Sequence, residues 1–278
     1  MEPLYPEDSK RVKFVLRQLL IQGKSIYDKN TLKPLYNKYL NKKLTLGDIY
    51  EIAQKITNKY RNDGYILSKA IVPPQRIDSG VVYLRIIEGY IDKVNIQGPI
   101  RGPRKLINSY KKKILKSRPL RTADLERYLL LIDDLPGVTA KSVLTPSEEK
   151  SSATTMTLIL ADKAFEGHAG TDNRGSKFNG PYEFSGGLTG NSLLGDYSRA
   201  GLNGVVTSQT EELLFMNAFY DVPINLEGTR LFFSGSVSES EPGSSLKKFN
   251  INGDSSTITF RLTHPFIRSR AKNLTGFL

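Results

Sequence analysis

Few residues of this chain have the types and spacing that chemistry needs. His168 and His264 are far apart in sequence, and no carboxylate cluster at ligand spacing accompanies either. Neither a metal centre nor a catalytic pair is expected from them. His264-Pro265 instead reads as a strand end. Asp133 and Asp134 are adjacent, and neighbours on a helix point in different directions. They are expected to form a solvated helix end, not an acid/base pair. Gly186-Gly187 and Gly190 are followed by no Gly-Lys-Ser/Thr, so they build no phosphate loop. Tight strand packing is the expectation for them. The chain has no cysteine, which excludes disulfides and thiolate metal sites. No enzyme activity, cofactor or metal is expected.

What remains is charge. Of the 278 residues, 40 are Lys or Arg and 28 are Asp or Glu, a net of +12. Residues 1–150 hold 29 basic and 16 acidic side chains, a balance of +13, and the remainder is nearly neutral. The densest cluster is Lys111-Lys112-Lys113 with Lys116 and Arg118. Such a patch can attract nucleic acid, anionic lipid or an acidic partner, or be a solvated lysine-rich surface. Only Tyr110 interrupts it, so stacking on single-stranded nucleic acid is poorly supported, and no nucleic-acid partner is expected. Glycine runs the other way, with 15 of 23 after Phe165.

The elements that must position these residues divide the same way. In the front, residues 14–22 read as a strand. A helix follows over about 31–40, with Leu32, Leu35, Tyr36, Tyr39 and Leu40 at helical spacing. Thr45 caps a second helix, with Asp48 three residues on as a partial capping box. Its apolar face is Leu46, Ile49, Ile52, Ala53, Ile56 and Tyr60. Asn62-Asp63-Gly64 stops it, Tyr65–Val72 forms a strand ended by Pro73-Pro74, and Val81–Ile87 forms another ended by Glu88-Gly89. The order then recurs. Residues 90–97 are a strand, 104–115 a helix, and Thr122 caps a helix with Leu125, Leu129, Leu130 and Ile132 inward. Two strands close the unit at 138–144 and 154–160. Gly64 to Pro73 spans nine residues, as does Gly137 to Pro146. A repeat of this size implies two tandem domains, each packing two helices on a small sheet.

These residues carry a resemblance. Gly64-Tyr65 through Val72-Pro73-Pro74-Gln75, then Gly80 through Glu88-Gly89, then Ile91 through Gly98, resemble the first polypeptide-transport-associated (POTRA) domain of two-partner secretion transporters. These are the haemolysin-activator and filamentous-haemagglutinin translocators. Residues 99–162 resemble the second such domain.

Past Phe165 the helical period gives way to strict alternation. Tyr182, Phe184, Gly186 and Leu188 oppose Glu183, Ser185, Gly187 and Thr189. Similar sets occur at 199–206, 230–238 and 257–263, with Phe232 an exception. Residues 212–220 are too apolar to assign. Successive side chains of a strand point to opposite faces, so each strand has one apolar and one polar side. A soluble sandwich shares that pattern. Ser, Thr, Asn and Arg on the polar side, glycine and aromatics on the other, and turns of alternating length favour a transmembrane barrel. The resemblance continues in Gly170-Thr-Asp172-Asn173-Arg174-Gly175, similar to the first barrel strand of these transporters. Thr263-His264-Pro265-Phe-Ile-Arg268-Ser269-Arg270 is similar to a later strand end.

The expected architecture is α+β followed by all-β. An N-terminal segment (1–13) precedes POTRA domains at 14–97 and 91–162, each β-α-α-β-β, and about six strands of an antiparallel transmembrane barrel at 163–278. The resemblance implies an outer-membrane transporter of a Gram-negative bacterium, with its POTRA domains in the periplasm. It would secrete an unfolded partner exoprotein: an adhesin, a haemolysin or a contact-dependent toxin. Outer-membrane lipid is the other expected partner. A barrel-assembly factor of the same superfamily and a soluble periplasmic polypeptide-binding module are the alternatives. The family's barrels have sixteen strands, so the chain is expected to be a fragment, inactive alone. Its start, Met1-Glu-Pro-Leu-Tyr-Pro-Glu-Asp, is not a signal peptide. The natural N-terminus is therefore expected to be missing or processed. An edge strand can accept an extended peptide by main-chain pairing. The candidate substrate contacts are Tyr65, Ile66, Leu67, Ala70, Ile71 and Val72, with Ile49, Ile52 and Ile56 either lining an adjoining groove or, as their helical spacing favours, packing the core.

Overall fold

The computed structural model describes residues 13–77, 79–99 and 102–278. The expected N-terminal segment lies outside them apart from Lys13. The chain forms two compact units that do not follow chain order. One takes residues up to Asn95, Lys111–Leu125 and Ser142–Thr157, and the other Ile96–Tyr110, Glu126–Lys141 and Leu158–Leu278.

The expected strand over 14–22 is two strands, β1 (Lys13–Val15) and β2 (Gln18–Gln22). Helix α1 (Lys29–Tyr36) follows and tightens into a 3-10 turn at Asn37–Tyr39. A short strand missed in the sequence, β3 (Lys43–Thr45), pairs antiparallel with β1. It is too short to show alternation. Helix α2 (Leu46–Asn62) starts at a complete capping box. Thr45 Oγ1 accepts from Asp48 N, and Thr45 N donates to the Asp48 carboxylate at 2.6 Å.

Strands β4 (Lys69–Ile71) and β5 (Val81–Ile87) complete a three-stranded sheet in the order β2-β5-β4. Strand β5 is parallel to β2 and antiparallel to β4. Its Val82, Leu84 and Ile86 point inward onto Ile49, Ile52, Ile56 and Tyr60 of α2, with Leu16, Leu19 and Leu32 closing the core. Burying each such aliphatic side chain is worth about 1.5–3 kcal/mol.

The recurrence is confirmed as β6 (Tyr90–Gln97), α3 (Arg104–Lys116), α4 (Thr122–Asp133), β7 (Val138–Pro146) and β8 (Ala153–Asp162). The three strands form a sheet in the order β6-β8-β7. Thr122 is not the cap of α4. The Arg121 carbonyl accepts the first intrahelical bonds, from Asp124 N and Leu125 N, so Thr122 is the first helical residue. On α4, Leu125, Leu131 and Ile132 are buried, while Leu129 and Leu130 are only half-buried.

The remaining strands are β9 (Phe165–Asp172), β10 (Glu183–Asn191), β11 (Arg199–Thr207), β12 (Leu214–Pro223), β13 (Arg230–Ser240), β14 (Gly253–Arg268) and β15 (Asn273–Phe277). They make one antiparallel meander of seven strands, not six. The additional strand, β15, is five residues long and lies just past the Arg268-Ser-Arg turn. The turns Ser192–Ser198, Ile224–Thr229 and Ser269–Lys272 lie at one end. Asn173–Tyr182, Ser208–Leu213 and Glu241–Asn252 lie at the other. No described helix is long and apolar enough to cross a membrane, which says nothing of strands.

Candidate functional site

The sheet is the first candidate surface, because its register sorts every side chain onto one of two faces. Directly opposed residues of antiparallel strands share a face. One row reads Gly167, Leu188, Leu202, Ala218, Gly235, Ile258. The next reads His168, Gly187, Asn203, Asn217, Ser236, Thr257. The apolar row is open to the surroundings, Leu188 being 59% exposed and Phe260, on the same side, 70%.

The unassigned segment resolves in the same register. Met216, Ala218 and Tyr220 join the apolar side, and Phe215, Asn217 and Phe219 the polar one. Phe219 and the exceptional Phe232 stack at 6.1 Å. The guanidiniums of Arg199 and Arg261 lie 5.5 and 5.4 Å from their ring centres. Asp221 holds Arg230 at 3.0 Å and Arg199 at 3.5 Å on the same side. Arginine over an aromatic face is a favourable cation–π arrangement, so two rings sit on a polar surface without leaving it purely apolar.

The second candidate is the motif region of the first sheet. Glu88 accepts from Ser25 N (2.7 Å), Ile26 N (3.0 Å), Tyr60 Oη (2.9 Å) and Ser25 Oγ. Burial pushes its carboxyl up, but these donors outweigh burial and hold it below the ordinary glutamate value. Burial first, then the bond to Glu88, raises the Tyr60 hydroxyl. Gly89 has no room for a side chain, since a Cβ would lie 2.3 Å from the Leu67 carbonyl oxygen. The Gln75 amide does the work of a strand. Its Oε1 accepts from Tyr83 N at 2.7 Å and its Nε2 donates to Tyr83 O at 2.8 Å. Pro73-Pro74 ends β4, and Gln75 satisfies the strand β5 beyond it. Periodicity gives no hint of this, because the pairing runs through a side chain. The Gly64 carbonyl accepts Thr122 N and Thr122 Oγ1, each at 2.8 Å, and the Gly89 carbonyl accepts Leu120 N at 2.9 Å.

The candidate substrate contacts fare unevenly. Ile49, Ile52 and Ile56 are 0% exposed in the core. The groove role expected for them is corrected, because the helix face that shows helical periodicity is the one that packs on β5. Tyr65 packs edge-on against Tyr60, and Tyr65–Leu67 form a turn, so the strand shrinks from 65–72 to Lys69–Ile71. Strand β4 is an edge, but the Ala70 N–H already donates to Thr57 Oγ1 at 2.9 Å. Ile66 is exposed, and Leu67, Ile71 and Val72 are half-buried.

The first sheet motif runs from the end of β9 into a turn, while His264 and Pro265 lie within β14, not at its end, and only Arg268 ends that strand. Asp172 ends β9, its side chain accepting from Arg174 N at 2.9 Å, so the first strand lies before Gly170–Gly175 more than within it. At Gly175 a Cβ would lie 1.9 Å from the Gly180 carbonyl oxygen. His264 Nδ1 is 2.8 Å from Thr229 Oγ1, and its ring meets Phe266 edge-on. Ser269 bonds Lys272 across the last turn, where Arg270 is exposed. Asp133 and Asp134 are not merely a solvated helix end. Asp133 accepts from Ala140 N at 2.8 Å, and Asp134 takes both Nε and Nη2 of Arg268 at 2.7 Å. No cluster of three or more potential metal ligands occurs among the described residues. Lys112 and Lys116 of α3 are exposed, and Arg118, just past its end, lies over Tyr90 at 4.5 Å.

Comparison with known proteins follows this geometry. Residues 14–89 match the model of the ShlB-type POTRA domain. Residues 160–277 match the model of the haemolysin secretion/activation protein ShlB/FhaC/HecB. The chain belongs to that two-partner secretion family. Its members are outer-membrane β-barrel transporters with periplasmic POTRA domains. The heme/hemopexin transporter protein HuxB of Haemophilus influenzae strain 86-028NP is 26% identical over 272 residues, covering 96% of this chain and 48% of HuxB. The outer membrane transporter CdiB of Dickeya dadantii is 25% identical over 66% of this chain and 32% of its own. The chain thus spans about half the length of HuxB. The structure of CdiB from Escherichia coli superposes with a TM-score of 0.72 at 20% identity, over 97% of this chain and 50% of CdiB. CdiB from Acinetobacter baumannii gives 0.56 at 16% identity. Both show the same fold: mixed α/β elements followed by a large antiparallel sheet, here not closed.

Proposed function

We propose that this chain is the periplasmic region and first barrel strands of a transporter that captures an unfolded exoprotein and threads it across the outer membrane. The carrying observation is the two-faced sheet, apolar and exposed on one side, polar on the other, following a ShlB-type POTRA domain. In this reading Leu188, Leu202, Ile258 and Phe260 face lipid, and the Asn, Ser, Thr and Arg rows line a watery interior. The sequence holds no Gly-x-x-x-x-Gly-Lys-Ser/Thr phosphate loop, and the family resemblance implies that folding of the cargo outside would drive export. The cargo is an adhesin, haemolysin or toxin-type exoprotein. A haemopexin-related exoprotein is the first to test, because the relative HuxB is a heme/hemopexin transporter protein.

Capture would use the accessible rim Ile66, Leu67, Ile71 and Val72, while Tyr65 and Ala70 support that rim from beneath. The basic face at Lys111, Lys112, Lys113 and Lys116 would collect acidic segments by long-range attraction. Neutralising that face should slow capture and flatten its salt dependence. A barrel-assembly factor is disfavoured, because the matching family model is one of secretion. A soluble binding module would bury the apolar rows that stand exposed here.

The decisive experiment expresses the intact transporter with and without a candidate exoprotein of the haemopexin-binding, adhesin or toxin type. Cargo in the medium only when both are present supports the reading. Unchanged secretion without the transporter, or a general loss of outer-membrane barrels on its depletion, would reject it.

A further inference from the structure

Arg127 and Leu131 of helix α4 and Asp134, which follows its last residue and still bonds back to the Leu130 carbonyl, stand at i, i+4 and i+7, a spacing that puts them on one face. That face meets the end of the sheet where the short turns lie. Arg127 Nη1 donates to the carbonyls of Pro265 (3.0 Å) and Phe266 (3.2 Å), and Nη2 to the Glu227 carbonyl (3.4 Å). Leu131 lies over Gly228, where a Cβ would come within 2.6 Å of its Cδ2. Asp134 closes the row with its two-pronged bond to Arg268.

The sheet is shaped to receive these groups. The pairing of β14 with β15 slips between Pro265 and Ile267. An irregularity of this kind leaves one residue out of the ladder, and here Phe266 turns its carbonyl to Arg127. Gly228, at φ +90°, makes the tight turn and leaves the space that Leu131 fills. The bond between Arg268 and Asp134 is bidentate, the strong and directional form of an arginine–carboxylate contact. Arg268 is further steadied by Asn273 Oδ1 at 3.1 Å.

We propose that Arg127, Leu131 and Asp134 form a three-point clip on Gly228, Pro265–Phe266 and Arg268. Arg127, Asp134 and Arg268 are positioning residues that hold α4 at the periplasmic mouth of the barrel, the place where cargo enters. The role in delivery rests on the transporter reading; the clip itself does not. The motif arginine Arg268 thereby gains a function that a strand end alone does not need. Because Arg268 and Asp134 are partly exposed, 25% and 42% at their side chains, high salt should loosen the clip.

The test uses the intact transporter in a lipid bilayer, with nitroxide labels at Glu126 and Ala271, both in the unit that holds the clip, and inter-label distances read by double electron–electron resonance. The parent should give one narrow distribution. Asp134→Arg should raise the displaced population about tenfold, a change of about 1.4 kcal/mol, and Asp134→Arg combined with Arg268→Asp should restore it. Strand content by circular dichroism should stay unchanged in all three. An unchanged distribution in Asp134→Arg, or no recovery in the exchanged pair, would overturn the clip. Cargo secretion should fall and recover in parallel. Secretion that stays at the parent level while the distances broaden would overturn the delivery role and leave the clip standing. Loss of secretion in the parent itself would count against the transporter reading alone.

Discussion

The first sheet and the long meander both alternate apolar and polar residues, yet they resolve that pattern in opposite ways. In β5, Val82, Leu84 and Ile86 turn toward two helices and are buried. In β10 to β14, Leu188, Leu202, Ile258 and Phe260 turn away from the rest of the protein and stay exposed. The difference lies in what covers the apolar face. Helix α2 supplies its own apolar stripe, whereas the apolar rows of the meander stay exposed and its other face carries asparagine, serine, threonine and arginine. The same strand period therefore implies an interior in one region and an exposed apolar surface in the other, which the proposed function assigns to lipid.

The largest expected effects come from reversing this logic at a single position. Ile52→Ala should cost about 2–5 kcal/mol by emptying a closed core, read as faster amide exchange across Leu16–Ile87 in the intact protein. Phe260→Arg should cost about 2–4 kcal/mol in a bilayer, the scale for arginine on a lipid-facing strand position. Thr259→Arg, one residue away, should fold and insert normally. Equal effects at 259 and 260 would break the distinction between the faces.

How much of this is legible in sequence depends on the range of the interaction. The capping box at Thr45 and Asp48, the apolar stripe of α2 and the alternation of β10 are local patterns, and each is found where it is expected. The substrate groove was misplaced because Ile49, Ile52 and Ile56 look alike whether they line a groove or a core. Only β5, more than twenty residues on, decides which. Strands β3 and β15 escaped because three and five residues show too little period. The bond from Asp134 to Arg268 was unreadable because 134 residues separate its partners. The Gln75 amide could have been suspected, since a glutamine placed just after Pro73-Pro74 has a chain reason to complete the pairing that proline ends.

A smaller effect should separate the two regions by pH. The folded Glu88 carboxyl lies below its ordinary value, so its contribution is full at neutral pH and is lost as pH falls past the ordinary glutamate range and through the lowered folded value. Exchange protection around β2, α2 and β5 should therefore weaken in acid before that of the meander does. Glu88→Gln should cost about 1.5–3 kcal/mol at neutral pH by weakening charge-assisted bonds and should remove the acid dependence. A profile in the variant that still bends in acid would assign it to another group. Smallest of all, Gln75→Ala should cost about 1 kcal/mol by uncovering one residue of β5, visible as faster exchange at Tyr83 alone.

The central claim is tested most directly by labelling alternate positions of β14, from Thr257 to Leu262, with nitroxides in lipid vesicles. Their accessibility to oxygen and to a water-soluble nickel chelate is then compared. Oxygen should dominate at Ile258, Phe260 and Leu262, and the chelate at Thr257, Thr259 and Arg261. A chelate-rich signal at Phe260, or no alternation along the strand, would contradict a sheet that divides lipid from water.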